Sequence, residues 1–362
     1  MAAFSTYYSG NQDLGTGYQK TRKEFLYDQI SYKYPSEVPL IRMLPKVSVD
    51  STEIDWVLGN LTPDFTITAS AENENFSSTP APSGMRKRAG NYTHLKHKVI
   101  EVTDTQRAMD EVGTSDEYST QIWQKSRELA IEVENTLYWS REVIGTAGSP
   151  NRQTHGLFAW AYDTGDTAGA VTIAGHLIPE VYDSVYHAPI GAAVDMTLPD
   201  LTEITRLAWA KGIDIDRSVM MCGDKLYNLI SGFGLQTFGT TPDIRTVPLN
   251  ERTIPAAARS LEHWLEVYQG PFGRIHINKN RYFTDRTPNL AAFGPGGNQI
   301  TLIPEKAFVI FEPEQLAIGI LQGMHVRPGA TSTFSSVAAV ATQFALIVRD
   351  PRGLAAGHNW VA

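Results

Sequence analysis

Few residues of this sequence have the type and spacing that catalysis or metal binding requires. His94 and His97 lie in a segment whose apolar residues alternate, so in a strand their side chains would point to opposite faces. We therefore expect surface histidines and no metal site at this position. Cys222 is the only cysteine, which excludes a disulfide within the chain and a metal site built from several thiolates. Its apolar neighbours predict a small buried core residue.

Carboxylates and glycine-rich loops give no stronger signal. Asp214 and Asp216 could share one face of a strand, and paired carboxylates can exchange protons with a substrate. No partner for them is apparent, so we expect a solvated loop. The glycine-rich residues 294–297 lack the Gly-Lys-Ser/Thr ending that cradles phosphates, and we expect a tight loop there. The sequence thus predicts no catalytic, cofactor-binding or metal-binding residue, and we expect that the protein is not an enzyme.

A charged segment between two predicted strands is more informative. Opposite charges flank its polar middle part: Glu72 and Glu74 on the outgoing half, and Arg86, Lys87 and Arg88 on the return half. Two interpretations remain open. These side chains could form a solvated tip, or they could be contacts that pair with charges on neighbouring subunits, where complementarity fixes register more than affinity.

The sequence on either side of this segment predicts a long hairpin over residues 46–104. Residues 46–57 and 92–102 alternate polar and apolar side chains, as strands with one polar face do. The polar stretch between them, residues 66–90, exceeds the ~12–15 residues usual for a structureless loop in a compact domain. We therefore expect this stretch to be either disordered or ordered by a partner.

Residues 115–144 carry the clearest helical pattern of the chain. Thr114 and Glu117 fit a capping box, and Gly145 follows as a stop signal. At 1.5 Å per residue the predicted helix is roughly 45 Å long, which suits a structural spine. Its predicted buried stripe is formed by Ile122, Leu129, Val133, Leu137 and Ile144. Its predicted solvated face carries Lys125, Arg127, Glu128, Glu132 and Glu134.

The whole pattern predicts an α+β protein, with helices and strands in separate runs. Residues 1–45 are too polar to form their own core, so we expect an arm, with a short helix at 20–32, that lies on another surface. Helices are expected at 201–211 and 224–233, and a buried strand at 218–222. Further strands are expected at 265–268, 273–277, 300–303, 307–311 and 343–348.

Composition narrows the function classes. With 362 residues, 42% hydrophobic and 19% charged, the chain has an ordinary globular composition. Its net charge is −8, and no basic run is longer than residues 86–88, which argues against tight binding of nucleic-acid phosphates. We see no signal peptide and no apolar run near the ~20 residues that span a bilayer. Together with the single cysteine, this predicts folding in a reducing cytoplasm.

The order of these elements resembles the tailed-phage major capsid fold, also called the Hong Kong 97-like or Johnson fold. Local sequence is similar to one branch of it, the SU10-like major head proteins. The segments that carry the resemblance are SEVPL at 36–40, MLPK at 43–46, EIDW at 53–56, GNYT at 90–93, VTDTQ at 102–106, DEY at 116–118, RQTHGL at 152–157 and QFALIVRDP at 343–351. The match is good over residues 30–160 and poor in the middle third of the chain.

The resemblance implies an organisation in five parts. These are an N-arm at 1–45, an extended β-hairpin loop at 46–104, a peripheral domain with a long spine helix at 105–155, a mainly axial domain at 156–265, and closing strands shared by both domains at 266–362. It also implies self-assembly as hexamers and pentamers into an icosahedral shell that encloses phage double-stranded DNA. The expected location is the virion, after assembly in the cytoplasm of a bacterial host.

The implied partners are other copies of the chain, a separate scaffolding protein, a portal protein and cement or decoration proteins. No cofactor, no membrane and no sequence-specific DNA contact is expected. One alternative is an encapsulin-like compartment shell that loads enzyme cargo, and another is an enzyme whose site has no recognisable motif.

Overall fold

The computed structural model describes residues 38–61, 86–109, 116–144, 151–165, 170–187, 196–232, 235–238, 245–248, 267–283, 304–329 and 334–358. Within these ranges the chain forms six α-helices and sixteen β-strands. The helices are α1 (Pro39–Met43), α2 (Asp104–Ala108), α3 (Glu117–Trp139), α4 (Leu157–Gly165), α5 (Leu198–Lys211) and α6 (Asp224–Gly232). The strands before α5 are β1 (Lys46–Ser48), β2 (Glu53–Gly59), β3 (Arg86–Tyr92), β4 (His94–Thr103), β5 (Val171–Ile173), β6 (His176–Ile178) and β7 (Val185–Tyr186). The strands after α5 are β8 (Val219–Cys222), β9 (Leu235–Phe238), β10 (Arg245–Pro248), β11 (Val267–Gly270), β12 (Gly273–Lys279), β13 (Phe308–Phe311), β14 (Leu316–Pro328), β15 (Ser335–Val348) and β16 (Leu354–Gly357).

A six-stranded mixed sheet, in the order β11-β12-β8-β13-β16-β7, separates two hydrophobic clusters. Successive side chains of a strand point to opposite faces, so the central strands β8, β13 and β16 contribute to both clusters. Met221, Val309 and Phe311 belong to the larger cluster with α3 and α4, whereas Met220 and Ile310 belong to the second cluster with α5 and α6. Because both faces are covered, the central strands β8 and β13 are buried at every position and are apolar throughout.

A four-stranded sheet, in the order β1-β14-β15-β4, forms the other main layer. The long strands β14 and β15 pair antiparallel, β4 pairs antiparallel with β15, and β1 pairs parallel with β14. Helix α3 packs against β4 and β15. This sheet joins residues from near both ends of the described chain.

The hairpin is shorter than the predicted range of 46–104. Within the described residues it consists of β2 and β3, which pair antiparallel from Glu53↔Tyr92 to Gly59↔Arg86. Strands β1 and β4, expected to lengthen it, instead join the four-stranded sheet. The positions of β1, β2 and β4 were predicted correctly, but β3 was missed, because most of it lies within residues 66–90, which were expected to form a polar stretch without strands. The expected pairing was also wrong, because alternation along a strand does not reveal which strand it pairs with.

The spine helix α3 is confirmed, but it begins and ends inside the predicted range. Its N-cap is Asp116, whose side chain accepts a hydrogen bond from the Tyr118 N–H at 3.2 Å; the predicted cap Thr114 lies outside the described residues. The helix ends at Trp139 because Ser140 adopts an extended backbone, and the Ser140 carbonyl accepts the N–H of Gly156 at 2.8 Å. With 23 residues, the helix is about 35 Å long, shorter than predicted.

The predicted buried stripe of α3 is mostly correct. Leu129, Val133 and Leu137 are buried and Ile122 is partly buried against the same cluster. Ile144 is 58% exposed, so its assignment to the stripe was wrong. It follows the end of the helix and therefore no longer shares the helical face.

The other elements divide into confirmed, missed and untested predictions. The helices predicted at 201–211 and 224–233 and the strand at 218–222 are confirmed as α5, α6 and β8. Helix α4 was missed, because its residues 157–164 are buried all round and show no amphipathic period. The predicted helix at 20–32, the tight loop at 294–297 and the strand at 300–303 lie outside the described residues. None of the helices within the described ranges combines the length and apolar character that crossing a bilayer requires.

Candidate functional site

The hairpin β2–β3 places the predicted basic contact residues at its far end. Arg86, Lys87 and Arg88 are exposed and form the first half of β3, whereas the second half of the strand is buried. Glu72 and Glu74, their predicted acidic counterparts, lie outside the described residues. The pairing of these charges with neighbouring subunits therefore stays a prediction.

The base of the hairpin is held in the core by one buried side chain, Asn91. Its Nδ2 donates to the carbonyl oxygens of His155 at 3.0 Å and Leu346 at 2.7 Å. Its Oδ1 accepts the N–H of His155 and that of Tyr92, both at 2.8 Å. The single amide thus links the hairpin, the segment before α4 and strand β15. A buried amide with all of these partners is stable, and it fixes the position of all three segments.

The sequence held no signal for this junction. Asn91 belongs to the segment GNYT and His155 to the segment RQTHGL, and both segments were recognised separately as carrying the family resemblance. The structure brings the two together although 64 residues separate them. Thr154 extends the junction, because its Oγ1 accepts the N–H of Leu346 at 3.1 Å.

A buried group of ionisable side chains lies beside the junction. His155 Nε2 is 3.3 Å from Asp163 Oδ2, and the Arg141 guanidinium is 3.6 Å from the same carboxylate. Burial lowers the pKa of His155 to about 3 and raises the pKa of Asp163 to about 6. Near neutral pH the imidazole is therefore uncharged, and the contact with Asp163 is not an ion pair. Arg141, which lowers the pKa of Asp163, supplies the compensating charge.

A second buried anchor connects the short helix α1 to the spine helix α3. Glu134 of α3 is fully buried, and its two carboxylate oxygens accept the backbone N–H groups of Leu40 at 2.7 Å and Ile41 at 2.9 Å. These N–H groups open the short helix α1 and have no partner within that helix. The prediction that Glu134 lies on the solvated face of α3 was wrong. A helical wheel places it near the polar side, but α1 covers that position.

Burial dominates the electrostatics of Glu134. Desolvation raises its pKa to about 7, although the hydrogen bonds from Leu40 and Ile41 favour the ionised form and lower it in part. The carboxyl group therefore changes protonation near neutral pH while it accepts hydrogen bonds from α1.

The solvated face of α3 pairs with the edge strand β4. Lys98 lies 2.9 Å from Glu128 and 2.6 Å from Glu132, and Lys96 lies 3.4 Å from Glu132. Glu128 and Glu132 thus lie on the polar face of α3, as predicted, but they form ion pairs with lysines of β4. These half-exposed pairs orient the helix on the sheet more than they stabilise it.

The histidines considered for a metal site lie on opposite faces of β4, as predicted. His97 is exposed. His94 is half-buried and stacks on Phe344 with ring centroids 5.6 Å apart, so the expected surface position was wrong for this residue. Burial, with a smaller effect of Lys96, lowers the pKa of His94 to about 4.

The remaining candidates have the environments that the sequence predicted. Cys222 is buried in β8, and burial raises the pKa of its thiol to about 12. Asp214 and Asp216 are exposed, and they accept hydrogen bonds from nearby backbone N–H groups. These bonds shape a surface turn, and the two carboxylates do not converge on a catalytic partner among the described residues.

One group of possible metal ligands was missed. Glu53, Asp55 and His176 bring their ligand atoms to within 4.8 Å of one another. His176 lies 121 residues after Asp55, so sequence spacing could not reveal the group.

Comparison with solved structures shows which fold these elements build. The capsid of cyanophage A-1(L) has a TM-score of 0.63 at 14% identity, and covers 93% of this chain and 97% of that chain. The mature capsid of bacteriophage PhiM1 has a TM-score of 0.58 at 9% identity, with coverage of 93% and 91%. The capsid of the native GTA particle has a TM-score of 0.57 at 12% identity, with coverage of 98% and 100%. At these identities the likeness shows the fold, which is the predicted Hong Kong 97-like capsid fold.

Sequence comparison shows the family. No curated protein sequence matches the chain. The family model of the SU10 major capsid protein, in contrast, matches residues 6–360, which is nearly the whole length. The family agrees with the resemblance seen in the short segments and with the fold, and it does not favour the encapsulin alternative. The chain belongs to the SU10 major capsid protein family and is a shell-forming phage head protein.

Proposed function

We propose that copies of this chain assemble as hexamers and pentamers into an icosahedral shell that encloses phage double-stranded DNA, and that the hairpin β2–β3 is the element that reaches neighbouring subunits. The shell is built in the host cytoplasm with a separate scaffolding protein, closes around a portal protein and can bind decoration proteins. The protein has a structural role and no catalytic activity of its own.

The observation that carries the role of the hairpin is that its two strands have unpaired edges and one exposed face, although its other face packs on the core. Strands β2 and β3 form a two-stranded sheet with no third strand among the described residues. A two-stranded hairpin is at best marginally stable in water, and its open edges and exposed side chains favour contact with another surface. Val57 is 62% exposed near the far end of the hairpin, beside the exposed basic residues 86–88.

The base of the hairpin, in contrast to its exposed far end, is buried. Asn91 and its four hydrogen bonds fix the hairpin to the core at 2.7–3.0 Å. A hairpin with an exposed end on a fixed base can carry a lattice contact, because the subunit sets the direction of the exposed end. Many modest contacts of this kind become strong together when a closed lattice forms.

Removal of the hairpin tip tests the proposal. In a variant that replaces residues 62–85 with a short Gly-Ser connection, β2 and β3 can still pair and every described core residue is kept. We expect a folded subunit by circular dichroism that no longer forms closed shells by electron microscopy. Closed shells of normal size from this variant would rule out the hairpin as a necessary lattice contact.

A further inference from the structure

Three possible metal ligands from two separate hairpins converge at the base of β2–β3. Glu53 and Asp55 lie on β2, and His176 opens β6 of the hairpin β5–β6. Their ligand atoms all lie within 4.8 Å of one another, and His176 Nε2 is 3.0 Å from Asp55 Oδ1. Protein ligands of a zinc ion lie ~2.0–2.2 Å from it, so they must be within about 4.4 Å of each other. Small side-chain rotations bring the three groups into that range.

The approach of His176 depends on a glycine. Gly90 is the cross-strand neighbour of Asp55, and it has no side chain to fill the space beside the carboxylate. A Cβ atom at Gly90 would lie 2.6 Å from Asp55 Oδ1 and 2.8 Å from His176 Cδ2. The imidazole therefore occupies space that any other residue at position 90 would fill.

The turn between β5 and β6 positions the imidazole of His176 beside Asp55. Ala174 and Gly175 both have positive φ, 49° and 78°, which matches the two-residue turn that fits the twist of antiparallel strands. Glu142 stabilises the turn, because its Oε2 accepts a hydrogen bond from the N–H of Ala174 at 2.6 Å.

The charge around this point is negative. Glu53 and Asp55 are exposed, and in the described part of the chain neither lies within ion-pair distance of a lysine or arginine. A bound cation would offset this concentration of carboxylates.

We propose that Glu53, Asp55 and His176 bind one divalent transition-metal ion, Zn²⁺, and that the ion clips the hairpin β2–β3 to the hairpin β5–β6. Two carboxylates and one neutral imidazole suit zinc, with water in the remaining position, whereas Ca²⁺ and Mg²⁺ prefer oxygen ligands alone. The ion would fix the direction in which the hairpin leaves the subunit. The site lies towards the hairpin base, and the nearest of the exposed basic residues, Arg88, pairs with Val57 two positions after Asp55.

Zinc titration of the unassembled full-length chain tests the site. After treatment with a chelator and dialysis, isothermal titration with ZnCl₂ should detect one equivalent of bound ion. His176→Ala and Asp55→Asn should each weaken the affinity at least tenfold. Gly90→Ala should also weaken it tenfold or more, although it leaves all three ligands in place. His97→Ala, which removes an exposed histidine elsewhere, is the matched control and should bind as the parent chain does.

A second readout identifies the ligands. Co²⁺ bound in place of zinc should give visible absorption bands typical of oxygen and nitrogen coordination, and these should disappear in His176→Ala. Circular dichroism verifies that each variant is folded. Equal zinc affinity of the parent chain and His176→Ala, or Ca²⁺ binding as tight as Zn²⁺ binding, would overturn the proposal. Because the titration uses unassembled subunits, its result does not depend on the shell proposal.

Discussion

At the scale of single residues, buried polar side chains hold the parts of this subunit together. Asn91 is fully buried, and its amide bonds to backbone groups 64 and 255 residues away. Such a side chain is costly to bury unless every partner is present. The amide therefore specifies one relative position of the hairpin, the α4 segment and β15.

Replacement of Asn91 should destabilise the subunit strongly. Asn91→Ala leaves the buried backbone groups of His155 and Leu346 without their partner, and each such group costs about 1–3 kcal/mol. We expect the free energy of unfolding in urea to fall by about 3–5 kcal/mol. Asn228→Ala, at an exposed position of α6, is the control and should change it by less than about 0.5 kcal/mol. A loss below about 1 kcal/mol for Asn91→Ala would mean that water replaces the amide.

At the scale of elements, the spine helix α3 organises its neighbours through different faces. Leu129, Val133 and Leu137 pack in the core, Glu128 and Glu132 pair with β4, and Glu134 binds the start of α1. One helix thus connects α1, the edge strand β4 and the core. Helix α1 is held against α3 because Glu134 supplies acceptors for N–H groups that have no partner within the five-residue helix.

The link between α1 and α3 should make stability depend on pH. Burial raises the pKa of Glu134 from 4.5 to about 7, so between these values the folded chain holds a proton that the unfolded chain has released. Stability therefore falls as pH rises through this window, by about 3 kcal/mol in total if the whole shift is realised. Glu134→Gln removes the titration, and its unfolding free energy in urea should fall less between pH 5 and 7. The same slope for both proteins would show that Glu134 does not titrate in this window.

At the scale of the whole molecule, the subunit combines two main sheets with the hairpin β2–β3, whose far end is exposed. The six-stranded and four-stranded sheets account for most strands in the described residues, while β2–β3 forms a separate two-stranded sheet that packs on the core. The exposed basic residues at the end of this pair are the predicted contacts with neighbouring copies. That prediction assigns their contribution to contacts in the assembled shell.

Charge reversal at these residues tests the electrostatic part of that prediction. A variant with Arg86→Glu, Lys87→Glu and Arg88→Glu should assemble at a higher protein concentration than the parent chain, by about tenfold at low salt. The difference should shrink near 1 M salt, where the Debye length is ~3 Å. Light scattering measures the assembly threshold, and the charge-conserving variant R86K, K87R and R88K is the control. Equal thresholds for parent and reversed variants at low salt would contradict a charged lattice contact.

The sequence by itself determined the fold class, the resemblance to the capsid family and several elements. The buried strand β8 and the helices α5 and α6 follow from local periodicity and start signals, which a short window contains. The existence of α3 was predictable for the same reason. The end of α3 at Trp139 was not predictable, because the backbone becomes extended at Ser140, whose carbonyl accepts a hydrogen bond from the N–H of Gly156.

Only the tertiary structure decided how these elements meet. Strand β4 alternates as a hairpin strand would, yet it pairs with β15. Glu134 is buried because α1 covers it, and His176 reaches Asp55 because Gly90 leaves space. Each of these depends on a contact between residues far apart in the chain. Local patterns record whether a position is polar or apolar, whereas the partner, the burial and the resulting pKa arise only when the layers pack.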